Sequence, residues 1–112
     1  MPSISFEDFL KVEICVGTIL IAEENNNLKR PSIILTIDFG DNIGIKKSSA
    51  QLQENYNCSD LINKQIAAVI NFPPKQIGNL ISEVLVLGFP DVNNEPVLVV
   101  PELKVKNGKR LF

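Results

Sequence analysis

The spacing of apolar residues changes several times along the chain, and each change marks an element. Ser5-Phe6-Glu7-Asp8 has the form of a helix start: Ser5 can accept from the Asp8 N–H, and the two acids suit the positive end of a helix dipole. Phe6, Phe9 and Leu10 then recur at helical spacing on one face. A helix this short is not stable alone in water, so that face must dock on something. From Val12 the period becomes two. Val12, Ile14, Val16 and Leu20 share one parity, and Gly17 interrupts the run as a bulge or bend does, which predicts a long, bent first strand.

Residues 24–28, with three consecutive asparagines, read as a loop tip. Pro31 opens a second strand in which Ile33, Leu35, Ile37 and Phe39 face one way and Ser32, Thr36 and Asp38 the other. Gly40-Asp41-Asn42 turns the chain into a third strand from Ile43 to Lys47. Ser48-Ser49-Ala50-Gln51 predicts a second helix capped by Ser48, with Leu52 and Tyr56 one turn apart. Leu61 and Ile62 are available for burial in an irregular stretch. A fourth strand runs from Lys64 to Phe72, with Ile66, Ala68, Ile70 and Phe72 on one face, and Pro73-Pro74 ends it. Val84 to Leu87 is a fifth strand, Val97 to Val100 a further one, and a basic tail follows.

Five strands with a helix between the third and fourth is the order of an OB-fold Greek-key barrel, an all-β class. The expected arrangement is one domain over residues 1–112, with a barrel core over about 12–88 and Leu52, Leu61 or Ile62 plugging its open end. The flanks 1–11 and 89–112 lie outside that core. They carry Phe6, Phe9, Leu10, Val97, Val99, Leu111 and Phe112, more apolar surface than the ends of a monomer should show; these residues either close the ends of their own barrel or are buried by a two-fold dimer.

Composition narrows the chemistry. In 112 residues there are 11 basic and 13 acidic side chains, a net charge of −2, so the whole-chain charge does not favour polyanions. The cations are nevertheless clustered, at Lys29-Arg30, Lys46-Lys47 and the tail. No histidine is present, which removes Ser–His triads, imidazole acid–base chemistry and the common metal ligand. The two cysteines, Cys15 and Cys58, have no CxxC companion; Cys15 reads as a small core residue and the pair fits a reducing cytosol. The acidic neighbours Glu7/Asp8 and Glu23/Glu24 fall on surface elements. The segment 40–44 lacks the lysine and helix of a phosphate loop. The expectation is a non-enzyme with no cofactor and no metal. No secretory leader is visible, and the apolar runs are far shorter than the roughly 20 residues of a membrane helix, so a cytoplasmic protein without membrane insertion is expected.

Two segments concentrate polar chemistry. Residues 43–51 place Lys46, Lys47, Ser48, Ser49 and Gln51 at a strand-to-helix junction, where exposed amides favour anions. Residues 70–88 present Asn71, Lys75, Ser82 and Glu83 around a rigid Pro-Pro corner. A plain helix cap beside two solvated lysines accounts for the first as well as a binding site does, and an ordinary strand connection accounts for the second.

Several long words in fixed order carry a resemblance. Ile-Asp-Phe-Gly at 37–40, Gly-Ile-Lys-Lys-Ser-Ser-Ala-Gln at 44–51, Leu-Ile-Asn-Lys-Gln at 61–65, Asn-Phe-Pro-Pro-Lys at 71–75 and Ser-Glu-Val-Leu-Val-Leu-Gly at 82–88 closely resemble the CsaA family. The likeness runs from about Phe6 into the tail; the loop 89–95 departs from it in being less glycine-rich. The family is part of a wider group of tRNA-binding OB domains that includes C-terminal domains of some methionyl-tRNA synthetases. The resemblance implies a homodimeric, export-related chaperone that binds peptides and unfolded preproteins. It also implies a tRNA-binding alternative acting in trans, with 71–82 on the tRNA-binding face. For both, the candidate ligand-binding residues are Lys46, Lys47, Ser48, Ser49, Gln51, Asn71, Lys75, Ser82 and Glu83.

Overall fold

In the computed structural model, which describes residues 1–26 and 29–112, the order is α1 (Phe6–Leu10), β1 (Ile14–Asn25), β2 (Ser32–Asp38), β3 (Ile45–Ala50), α2 (Cys58–Leu61), β4 (Gln65–Val69), β5 (Lys75–Ile77), β6 (Leu80–Ser82), β7 (Leu85–Val86), β8 (Gly88–Pro90) and β9 (Pro96–Leu98). The predicted loop tip at 24–28 lies partly outside the described residues: β1 continues to Asn25, and 27–28 are not described. The main sheet is antiparallel, in the order β3-β2-β1-β4-β7. It curls until its two edges meet, giving the OB-type barrel that the element order predicts.

The long first strand serves both halves of the wall. Residues 14–18 pair with β4 and residues 18–25 with β2. Its core face carries Cys15, as expected of a small apolar residue in this run. Cys15 and Ile19 are buried in the core, whereas Val12 and Leu20 are exposed. Both parities of this strand are apolar, and the residue that weakens the core parity is Gly17. There the ring of Phe39 takes the place of a side chain: a Cβ on Gly17 would stand 2.7 Å from Phe39 Cδ1. The register slips between Ile19 and Ile21, which leaves Leu20 without a partner on β2, three residues beyond the bend expected at Gly17.

The second strand follows its pattern: Ile33, Leu35, Ile37 and Phe39 are essentially inaccessible to solvent. The helix predicted from Ser48 is absent. β3 runs on to Ala50, and the helix between the third and fourth strands lies ten residues later, at Cys58–Leu61, where the Asp60 carboxylate accepts from the Asn57 N–H at 3.3 Å. The local cap signal of Ser48 lost to tertiary pairing. Ser48 and Ser49 stand opposite Leu35 and Ile34 of β2, and the Ser48 hydroxyl donates across the barrel to the Val84 carbonyl at 3.0 Å. Of the three predicted plugs, Leu52 and Leu61 enter the core and Ile62 is exposed.

β4 stops at Val69, so Phe72, expected on the core face, is half exposed. The chain beyond it forms two hairpins that the pattern does not reveal. In β5–β6, Lys75 stands opposite Ser82; in β8–β9, Phe89 stands opposite Val97. The β8–β9 loop is tied by Asp91, whose Oδ1 accepts from the Asn93 and Glu95 N–H groups at 2.8 and 3.0 Å and whose Oδ2 accepts from Asn55 Nδ2 at 2.9 Å. The Asn55 bond, then the two backbone bonds, holds the Asp91 carboxyl below its usual range. A depressed pKa means that the ionised form favours the fold, so this tie is present at neutral pH and is lost as pH falls below the ordinary aspartate range. The amide NMR signals of Asn93 and Glu95 should titrate with a midpoint lower than that of an unpartnered aspartate; an ordinary midpoint would contradict the assignment.

The tail folds back on its own chain. Val16 and Ile14 of β1 exchange backbone hydrogen bonds with Gly108, Lys109 and Leu111 at 2.8–3.0 Å, along the strand edge away from β4. The side chains of Thr18 and Gln65 donate to Asn107 Oδ1 at 2.7 and 3.1 Å. Helix α1 begins as predicted, with Ser5 Oγ accepting from the Asp8 N–H at 3.1 Å, but none of its residues is buried. The apolar face that a free-standing helix must cover is open. Cys15 is buried and Cys58 half-buried, both as free thiols, and loss of hydration raises the pKa of each. No helix among the described residues is long and apolar enough to cross a membrane.

Candidate ligand-binding groove

The two ends of the main sheet meet at a seam made largely by side chains. The Glu83 N–H donates to the Lys47 carbonyl at 2.8 Å, the Lys47 N–H to Glu83 Oε1 at 3.0 Å, and the Ser49 N–H to Ser82 Oγ at 3.1 Å. The amides expected to be free at a helix start are therefore β3 edge amides already satisfied by Glu83 and Ser82. Ser49 Oγ also donates to Ser32 Oγ at 2.9 Å.

Because the seam does not zip up as a continuous ladder, it leaves a groove of about 340 Å³ between β3 and the β4–β7 connection. Connections of this kind, beside strand 3, are where OB folds take extended polymers. Ser49, Ser82 and Glu83 form the polar wall, and Phe72, Pro73, Ile77 and Leu85 the apolar one, with Lys75 on the rim. Phe72 and Leu85 are 50% and 49% exposed, so the apolar wall faces solvent. Lys46 Nζ stands 3.8 Å from Glu83 Oε2, and Lys47 is exposed. A second depression of about 230 Å³ shares Ser49 and Leu85 with this one and adds Gln51.

The nine predicted ligand-binding residues are thus placed unequally. Ser49, Lys75, Ser82 and Glu83 line the groove, Lys46 and Lys47 adjoin it, and Gln51 lies in its extension. Ser48 is buried behind the seam. Asn71 is used elsewhere: its Oδ1 accepts from the Glu13 N–H at 3.0 Å and its Nδ2 donates to the Lys11 carbonyl at 2.8 Å, which fixes the turn from α1 into β1. The apolar wall was missed because Phe72 fits the alternation of β4 and reads as core. Its signal is the Pro-Pro pair that follows, which ends the strand before Phe72 can turn inward. No cluster of ligating side chains among the described residues can hold a metal ion.

A different apolar surface lies on the outer face of β1 and β4. Ile14, Val16, Ala67, Val99, Val100, Leu111 and Phe112 line a depression of about 480 Å³. It unites three of the residues expected at a dimer contact, Val99, Leu111 and Phe112. Val97 lies apart, on the β8–β9 hairpin. Phe6, Phe9 and Leu10 lie on α1, linked to the tail where the Arg110 guanidinium donates to the Leu10 carbonyl. Ile14, Val16 and Ala67 were not expected there, although the unbroken apolar run Ile66-Ala67-Ala68-Val69 is the mark of a strand covered on both faces.

Comparison with known proteins agrees with this architecture. Residues 14–110 match the family model described as "Putative tRNA binding domain". The methionine–tRNA ligases of Methanococcoides burtonii and Porphyromonas gingivalis are 31% and 28% identical over 105 and 108 residues, 94% and 96% of the chain. The chain spans only about 15% of the length of these relatives. The crystal structure of chaperone CsaA from Bacillus anthracis superposes with a TM-score of 0.93 at 44% identity, over 99% of this chain and 100% of that one. The CsaA chaperone protein of Picrophilus torridus gives 0.90 at 44% identity, over 98% and 100%. A MetRS-related protein of Pyrococcus horikoshii, 21% identical, shares the fold over the full length of both chains with a TM-score of 0.87. With likeness of this extent in both sequence and structure, the chain belongs to the tRNA-binding-domain family and, within it, to the CsaA family.

Proposed function

We propose that the chain is a homodimeric, cytoplasmic chaperone of the holdase kind, not an enzyme, that binds extended apolar segments of unfolded polypeptides, including those awaiting export. The observation that carries this reading is the groove's wall of Phe72, Pro73, Ile77 and Leu85, an apolar surface open to solvent opposite the polar wall of Ser49, Ser82 and Glu83. Covering such a surface with an extended segment is favourable without any energy source, and the sequence has no nucleotide-binding motif. The 44% identity to proteins described as CsaA chaperones supports it. The outer depression around Val16 and Val100 supports the two-fold pairing, since a second copy would cover it.

A second reading, binding of tRNA, is favoured by the family match and by Lys47 and Lys75, whose side chains have no ion-pair partner among the described residues. The two readings differ in their response to salt. Binding of tRNA should weaken steeply as salt is added, while apolar polypeptide binding should hardly change. Titrating both ligands onto one preparation across a salt series decides between them, and absence of binding by either at low salt refutes both. In the same assay Lys75→Glu should lower tRNA affinity about tenfold and flatten the salt slope by about one. The melting temperature should not change, because Lys75 is solvated at the start of a hairpin. An unfolded variant would make Lys75 structural.

A further inference from the structure

Glu83 is the one carboxylate among the groove-lining residues, and it stands among the three lysines of the rim. Its Oε2 is 3.8 Å from Lys46 Nζ, its Oε1 accepts from the Lys47 N–H at 3.0 Å, and its neighbour Ser82 faces Lys75 across β5–β6. The seam itself does not need the charge. The Lys47 N–H requires an acceptor oxygen there, and an uncharged amide oxygen in the same place would serve. The negative charge has a different consequence: it offsets one of the three lysines, so a phosphate chain meets a weaker positive field and a carboxylate at its centre. Glu83 is 37% exposed and its contact with Lys46 is long, so another cation can compete for it from solvent.

We propose that Glu83 is a specificity-determining residue that turns the groove away from polyanions and toward apolar polypeptide segments carrying a lysine or arginine. The proposal rests on the reading of this groove as a polypeptide site. An arriving cation can replace Lys46 at the carboxylate while the apolar residues beside it cover Phe72 and Leu85; an arriving phosphate gains nothing from Glu83. Charge arranged in this way discriminates between partners more than it adds affinity.

The test uses the full chain, unfractionated tRNA, and two 12-residue apolar peptides that differ only by one central lysine or alanine. The wild type should bind the lysine peptide several-fold more tightly than the alanine peptide. Glu83→Gln keeps an acceptor for Lys47 and removes the charge. It should strengthen tRNA binding about three- to tenfold at low salt, steepen the salt slope by about one, and abolish the preference for the lysine peptide. In a Lys46→Gln background the gain on tRNA should shrink, since the lysine being released is gone. A folded Glu83→Gln protein with an unchanged slope and an unchanged lysine preference overturns the proposal, as does a parallel loss of all three ligands, which would mark a purely structural residue. If Glu83→Gln does not fold, Lys46→Gln alone decides: unmasking the carboxylate should widen the lysine preference, and equal affinity for the two peptides overturns the proposal. Failure of the wild type to bind either peptide would instead remove the polypeptide reading on which the proposal stands.

Discussion

Val100→Asp should separate the two copies of the proposed dimer while leaving each protomer folded. Val100 is 47% exposed in the isolated chain, so a carboxylate there remains in water and the protomer core does not register it. In the proposed dimer the same position lies in the outer depression with Val16, Ala67 and Leu111. A two-fold contact buries that surface on both copies at once, so one substitution places two like charges in the interface. An unpaired charge in a buried contact costs about 3–5 kcal/mol, which raises the dimer Kd by at least two to three orders of magnitude. Sedimentation velocity at micromolar protein measures the change, and circular dichroism checks the fold. A wild type that sediments as a monomer, or a variant that stays dimeric, would show that this depression has another occupant.

The strands that can be read from the residues are those with one apolar face. In β2 only Ile34 breaks the alternation, and Ile33, Leu35 and Ile37, with Phe39 just beyond the strand, follow directly from it. Ser5 caps α1 as its chemistry suggests, because nothing competes for that hydroxyl. Where both faces of a strand are covered, period-two reasoning loses its reference. That is why the outer depression over Val16 and Ala67 stayed hidden. Ser48 shows a second limit: a hydroxyl that can cap a helix can equally bridge two strands, and only the rest of the barrel decides between them. Of the groove, the polar half was legible from Ser49, Lys75, Ser82 and Glu83. Its apolar half was not, because an exposed Phe72 and a core phenylalanine look alike until the end of the strand is known.

The groove owes its existence to the way the barrel closes. A continuous backbone ladder between β3 and β7 would leave no gap. Instead the Ser82 and Glu83 side chains reach the β3 amides, and the chain between β4 and β7 bulges outward as the β5–β6 hairpin. The same residues therefore seal the core and shape the binding surface, which predicts that substitutions here affect stability and ligand choice together unless they conserve the acceptor oxygen. Glu83→Gln is such a conservative change.

Gly17→Ala, the addition of one methyl group, should cost about 3 kcal/mol of stability, at the upper end of what overpacking a core produces. The new Cβ would stand 2.6 Å from Ile37 Cγ2 and 2.7 and 2.8 Å from two atoms of the Phe39 ring. Neither neighbour has room to move. Ile37 and Phe39 are both fully buried at the centre of the core, and the Phe39 carbonyl is packed against the tail, where a Cβ on Gly108 would lie 2.5 Å from it. The strain should not be relieved through the Gly17 backbone either, since that strand is paired with β4 on one side and with the tail nearby on the other. If steric conflict with the ring is the cause, shrinking the ring must repair it. Phe39→Leu alone should destabilise through lost burial, yet Gly17→Ala/Phe39→Leu should be more stable than the sum of the two single losses by at least 1 kcal/mol, the range of coupling seen between residues in contact. Urea unfolding of the four proteins measures the coupling. Additive losses would mean that Gly17 is required for backbone bending rather than for the space that Phe39 fills.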